Sequence, residues 1–307
     1  MKLVTFIHQD TARLGAIIDS PVGELVVDLA QAYAACLSCI NPDAPPGEFP
    51  EDMLALLQSN EDIWSVTASV VEWAGSLEAE ESFLFPLADV RLGPPLNNPS
   101  KIVCIGLNYH DHAREQAVEI PPRPLLFDKF STAIIGPDDE ISWPAEVSQQ
   151  VDYEAELAVV IGREGRHIPV DKAYDYIAGY TIVNDVSARD AQYSDKQWVR
   201  GKSFDTFCPI GPYLLTADEV EDPHNLGIRC WVNGELRQDS NTFEMIFKIP
   251  ELLAFISQTS TLKSGDIIST GTPDGVGVFR DPKVFLKSGD VIEIEIDRLG
   301  RLRNTVK

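Results

Sequence analysis

Three acids stand at every second position of VDYEAELAVVIG, residues 151–162: Asp152, Glu154 and Glu156. On a strand, alternate residues face the same way, so Glu154 and Glu156 share a face, with Asp152 one step further out. The second half, Leu157 to Gly162, is apolar and reads as a buried strand. Carboxylates gathered where a strand enters a core repel one another, and burial raises the cost further. Something positive must offset this, either a divalent metal or Arg and Lys side chains. Ligands that are all hard oxygens suit Mg2+, Mn2+ or Ca2+ more than zinc. Acidic pairs with this spacing also occur on solvated strand faces, so the acids alone leave both readings open.

Further along, GYTIVNDVSARD (179–190) ends an apolar run at Asn184-Asp185. An acid at the end of a buried strand is well placed to supply a third ligand. Arg189 and Gln192 follow at once, and GKSFDTFCPIGP (201–212) places Lys202 in a Gly-led turn. Cations beside a metal suggest an anionic substrate. GLNYHDHAREQA (106–117) holds His110, His112 and Glu115. His112 and Glu115 are three apart and face each other on a helix. The Glu would orient the imidazole as a general base; the alternative is a solvated helical turn. With no HExxH pair, a histidine-based metal site is disfavoured. STGTPDGVGVF (269–279) is Gly-rich after a strand and lacks the phosphate-loop lysine. It reads either as a turn or as a loop whose backbone N–H groups and Thr272 hydroxyl hold a substrate carboxylate.

These residues need elements to position them. The chain opens with short strand-like runs, Leu3 to Ile7, Leu14 to Ile18 and Glu24 to Val27. A helix capped by Asp28 follows, then a Pro-rich break at 41–50 and helical stretches near 51–58 and 61–74. This predicts a small α+β domain over 1–92. LGPPLNNPSK (92–101) marks the boundary. Beyond it, 93–307 is mostly β, with short strands, an Asn-Gly hairpin turn in VNGEL (232–236) and one helix near Pro250 to Ser257.

Composition narrows the possibilities. The 307 residues are 44% hydrophobic, enough for a sizeable core, and carry a net charge of −23. Such a surface repels nucleic acid and anionic membrane, so neither is an expected partner. The five cysteines are an odd count in a large chain, which argues against a disulfide framework. Cys36 and Cys39 form one CxxC without two further zinc ligands nearby. No apolar stretch reaches membrane-spanning length, and the N-terminus reads as neither signal nor transit peptide. The expected location is the cytoplasm.

In this order, GLNYHDHAREQ, VDYEAELAVVIG, NDVSARDAQ, GKSFDTFCPIGP and STGTPDGVGVF resemble the fumarylacetoacetate hydrolase superfamily over about residues 100 to 299. The likeness is greatest to the domain-containing 2 type, which has an extra N-terminal domain. The resemblance implies an α+β, mostly β protein, with a mixed β-sandwich roll after the N-terminal domain, assembled as a homodimer. It implies a Mg2+ or Mn2+ site on Glu154, Glu156 and Asp185, with Asp152 in a supporting part. His112 and Glu115 look like the dyad that handles a water or a proton, with Lys202 beside them. Arg189, Gln192 and Thr272 look like substrate contacts. The family's FxKP stretch reads Phe127-Asp128-Lys129-Phe130 here, with Phe in place of Pro. The implied substrate is a small anionic 2-oxo acid whose enolate the metal stabilises as a Lewis acid. The expected reaction is C–C hydrolysis of an acylpyruvate, the superfamily's naming activity. Oxaloacetate decarboxylation and oxaloacetate keto–enol tautomerisation are the alternatives on the same residues, and non-catalytic binding of a 2-oxo acid is a remote one.

Overall fold

The computed structural model describes residues 1–40, 47–77 and 81–307. The Pro-rich break at 41–50 falls partly outside the described residues. The first three strands form where expected, at Lys2–His8, Thr11–Ser20 and Gly23–Asp28. Helix Leu29–Ile40 follows, and the Asp28 side chain accepts from the Gln31 N–H, satisfying one of the free donors at a helix start. Helices Met53–Leu57 and Glu61–Gly75 are capped in the same way by Asp52 and Asn60.

A twelve-stranded sheet dominates the molecule. From edge to edge its main path runs Leu84–Pro86, Gly23–Asp28, Thr11–Ser20, Lys2–His8, Cys208–Thr216, Ile177–Asn184, Ala155–Ile161, Ile267–Ser269, Ile102–Gly106 and Leu125–Lys129. Strand Arg91–Gly93 spans the expected 92/93 boundary, and Lys2–His8 pairs with Cys208–Thr216, so the two segments share this sheet. A five-stranded sheet packs against it: Glu235–Asn241, Gly227–Val232, Val291–Ile296, Gly300–Val306 and Glu140–Ile141. VIEIEI (291–296) alternates half-buried and buried residues. Its isoleucines enter the core, while Glu293 and Glu295 pair outside with Arg301.

Ala155–Ile161 is the central strand, and all seven of its residues are buried. Leu157, Val159 and Ile161 join Ile228, Cys230, Ile292 and Ile294 in the core between the two sheets. Ala158 and Val160 project the other way, into a second core with Leu3, Leu25, Leu56 and Val70 from the N-terminal segment. Burial on both faces explains the continuous apolar run, with each Val, Leu or Ile contributing about 1.5–3 kcal/mol.

The structure differs from the sequence reading in three places. Ile249–Ser257 is not the only helix after residue 93, since His110–Glu115, Arg189–Asp195 and Val199–Lys202 are helical too. Lys202 therefore ends a short helix rather than sitting in a turn. The acids at 152, 154 and 156 do not lie on one strand either. Val151–Asp152 pairs with Ser187–Ala188 in a separate two-stranded ladder, and the long strand begins only at Ala155.

A candidate metal centre beside a histidine–glutamate dyad

Register brings the carboxylates together. Ala155 pairs with Asn184, which sets Glu154 and Glu156 next to Asp185 at the end of the neighbouring strand. The Asp185 N–H donates to the Glu154 carbonyl at 2.9 Å, and the Glu154 N–H donates to the Asn184 side chain at 3.1 Å. Side-chain oxygens of Glu154, Glu156 and Asp185 all lie within 4.8 Å of one another, and all three residues are buried. Ligands about 2.1 Å from an octahedral Mg2+ lie roughly 3–4 Å apart, so this set fits a hard divalent ion.

Three cations press on the same carboxylates. Lys129 Nζ is 2.6 Å from Asp185 Oδ1, and both side chains are fully buried. Lys202 Nζ reaches Glu154 Oε2 at 2.8 Å and Asp185 Oδ2 at 2.6 Å. Arg189 spans Asp152 at 2.9 Å and Glu154 at 2.6 Å. Asp152, Glu154, Glu156 and Asp185 thus face Lys129, Arg189 and Lys202, which leaves one negative charge in excess. Burial works against the charge on Lys202, but Asp185 and Glu154 outweigh it and hold its ammonium up at about 12. Burial also opposes charge on Glu154, yet Lys202 and Arg189 keep its carboxyl well below the usual carboxylate range. Glu156 goes the other way. Burial, then Asp185 and Glu154, push its carboxyl well above that range. Its partners are neutral donors, the Ser269 hydroxyl at 2.5 Å and the Gly271 N–H at 3.0 Å. A divalent ion would supply the positive charge that lets this group ionise.

The Gly-rich loop after Ile267–Ser269 does hold carboxylates through its backbone, but they belong to the protein. The Gly271 N–H serves Glu156, the Gly275 N–H serves Glu115 at 2.9 Å, and the Gly277 and Val278 N–H groups serve Asp152 at 2.7 and 3.0 Å. Those donors are not free for a substrate, which corrects the expectation for this loop. Gly271 itself has φ +101°, and a Cβ there would meet Asn108 Cβ at 2.8 Å. Asn108 is buried and ties the loop down through its amide, which donates to the Thr270 and Phe247 carbonyls.

His112 and Glu115 meet as their spacing predicts, with Nδ1 3.0 Å from Glu115 Oε2. Gln116, four residues after His112, lies 2.7 Å from Nε2. His112, Glu154, Glu156, Arg189, Gln192, Lys202 and Thr272 all line one cavity. Glu115 and Asp185 stand behind it, bonded to His112 and Lys202 respectively. Of the expected substrate contacts, Arg189 is committed to Asp152 and Glu154. Gln192 turns its oxygen to Arg189 Nη1 at 3.1 Å, and Thr272 Oγ1 accepts from the Gln238 amide at 2.8 Å. Among the described residues, the Gln192 amide N–H groups and the Thr272 hydroxyl proton meet no acceptor, which leaves them to a guest. Sequence reasoning missed the cavity's aromatic walls, Phe127, Tyr193, Trp198 and Phe279, and also Gln116. Gln116 had a signal in the four-residue spacing from His112; the aromatics had none.

Residues 101–307 match the family described as fumarylacetoacetate (FAA) hydrolase C-terminal. The chain belongs to the fumarylacetoacetate hydrolase family. It is an enzyme of that superfamily with the family's mostly β fold, and its relatives include proteins of the domain-containing 2 type. It is 46% identical over 308 residues to a Xenopus laevis protein named oxaloacetate tautomerase fahd2, mitochondrial, covering 100% of this chain and 90% of the relative. A 5-carboxymethyl-2-hydroxymuconate delta-isomerase from Mycobacterium smegmatis superposes with TM-score 0.74 at 34% identity, covering 100% of this chain and 99% of that one. A maleylpyruvate hydrolase from Sphingobium sp. SYK-6, solved with manganese(II) and pyruvate, does so with TM-score 0.75 at 32% identity, covering 100% and 98%. Family members of this fold thus include isomerases and a hydrolase, and one holds a divalent metal. No helix among the described residues is long and apolar enough to cross a membrane.

Proposed function

We propose that this family member interconverts the keto and enol forms of oxaloacetate, with Mg2+ or Mn2+ held by Glu154, Glu156 and Asp185. This takes the place of the acylpyruvate hydrolysis expected from the family's name. The observation that carries it is the likeness along the whole chain to a relative named oxaloacetate tautomerase. All the residues involved come from the 93–307 segment, which we take as the catalytic unit.

A bound divalent ion supplies a Lewis acid that lowers the cost of negative charge on a substrate oxygen. Lys202, kept protonated by its two carboxylates, adds a fixed positive charge at the same place. The Gln192 amide and the Thr272 hydroxyl donate to the substrate's carboxylates. Glu115 accepts a hydrogen bond from His112 Nδ1–H, which leaves the Nε2 lone pair as the ring's basic site. His112 takes a proton from the substrate's C3 on Nε2 and returns one to the keto oxygen, and the reverse reaction runs through the same atoms. Phe127, Trp198 and Phe279 limit water around these groups.

The test is ultraviolet absorbance of the oxaloacetate enol, with enzyme and Mg2+ or with a chelator. The expected result is metal-dependent acceleration of ketonisation and little cleavage of acylpyruvates. Acylpyruvate cleavage faster than tautomerisation would return the hydrolase reading, and carbon dioxide release would return the decarboxylase reading. For location, the Xenopus relative's name supports the mitochondrion, against the cytoplasm expected from the sequence. Cell fractionation decides between them.

A further inference from the structure

The His112 Nε2 lone pair is already engaged within the protein. A carboxylate only accepts hydrogen bonds, so the ring proton sits on Nδ1, facing Glu115 at 3.0 Å. Nε2 then accepts from the Gln116 amide nitrogen at 2.7 Å. Gln116 is held there by the backbone: its own N–H donates to the His112 carbonyl at 3.1 Å as it ends helix His110–Glu115. Both side chains line the cavity that Glu154 and Glu156 line.

The place Gln116 fills has a chemical meaning. Hydrolysis of a 2-oxo acid needs two guests beside Nε2, the substrate and a water. Nε2 would take the water's proton, the water oxygen would bond to the acyl carbon, and the C–C bond would break with its electron pair left on the pyruvate carbon. The imidazolium would then return the proton to that carbon. Tautomerisation needs one guest. A substrate anchored by Gln192, Thr272 and Lys202 can bring C3 to Nε2 and displace the amide, which stays beside the ring where a water would otherwise stand.

We propose that Gln116 is the specificity-determining residue that denies His112 a water, holding this site to proton transfer on a 2-oxo acid instead of C–C hydrolysis. This rests on the tautomerase reading above. The test uses the full chain with Mg2+, comparing wild type with Gln116→Ala, and with Gln116→Asn, which is one methylene shorter and also withdraws the amide. Acetylpyruvate cleavage is followed by its ultraviolet absorbance. The expected gain in either folded variant is about tenfold or more, a fraction of what a freed general base contributes. A readout independent of turnover is the imidazole nitrogen-15 spectrum of the metal-free protein. The His112 Nε2 resonance should move in both variants, because a water O–H replaces the amide N–H on its lone pair. An unmoved resonance, or cleavage at or below wild type in a variant that melts as a folded protein, overturns the proposal. If the wild type leaves oxaloacetate untouched, the tautomerase reading falls, while the variant-to-wild-type ratio and the nitrogen-15 shift still judge Gln116.

Discussion

At Glu156 the cost of the site is concentrated on one side chain. Burial, Asp185 and Glu154 raise its carboxyl well above the usual range. A raised acid holds its proton more tightly folded than unfolded, so its contribution to metal-free stability falls as pH rises above the unfolded value of about 4.3. Glu156→Gln keeps an oxygen for Ser269 and Gly271 and removes the charge. In chelator at pH 8 it should melt higher than wild type, by about 1 kcal/mol or more, and the gap should close toward pH 4. Added Mg2+ should stabilise the wild type by about 2.7 kcal/mol at a hundred times Kd and the variant hardly at all. Scanning calorimetry with and without metal reads both. Asp185→Ala should behave oppositely. It leaves Lys129 buried without its ion partner and Lys202 with Glu154 alone, at an expected loss of about 3–5 kcal/mol. Equal melting temperatures for the two variants would contradict this division of roles among acids that look alike in the sequence.

One step up, Asp152 braces three elements. Its carboxylate accepts from the Gly277 and Val278 N–H groups of the Gly-rich loop and from Arg189, the first residue of helix Arg189–Asp195. Arg189 in turn holds Glu154. Asp152→Ala should therefore cost about 3 kcal/mol or more, because it leaves a buried guanidinium short of a partner and two buried N–H groups unpaired. Denaturant unfolding checks the size. A loss under about 0.5 kcal/mol, the range of ordinary surface substitutions, would show that the loop is held by other contacts.

Across the whole molecule, the net charge of −23 acts against the compact state. Melting temperature should rise between about 0.01 and about 0.15 M NaCl, as the screening length falls from about 30 to about 8 Å. A flat response would mean that the unpaired acids stand too far apart for their repulsion to cost the folded state measurably. Homodimerisation, proposed from the family resemblance, predicts a sedimentation coefficient for two copies at micromolar concentration. The N-terminal segment is not a loose appendage in this picture, since its strands extend the catalytic segment's sheet through Lys2–His8.

The local patterns settled what depends on neighbours in the chain. Alternation in VIEIEI, the cap at Asp28, the Asn-Gly turn and the His112–Glu115 spacing each follow from the backbone geometry of a few residues. The choice of carboxylates followed from residue type and from the order of five motifs. What remained hidden depends on contacts between distant stretches. Lys129 meets Asp185 across 56 residues, Gly271 meets Glu156 across 115, and Gly277 meets Asp152 across 125. No period or turn signal encodes such pairings, because they arise only when strand register and loop closure bring separate segments into one volume. Tertiary packing alone therefore decided that the glycine loop spends its N–H groups on the protein's own acids and that Arg189 is committed to Asp152 and Glu154.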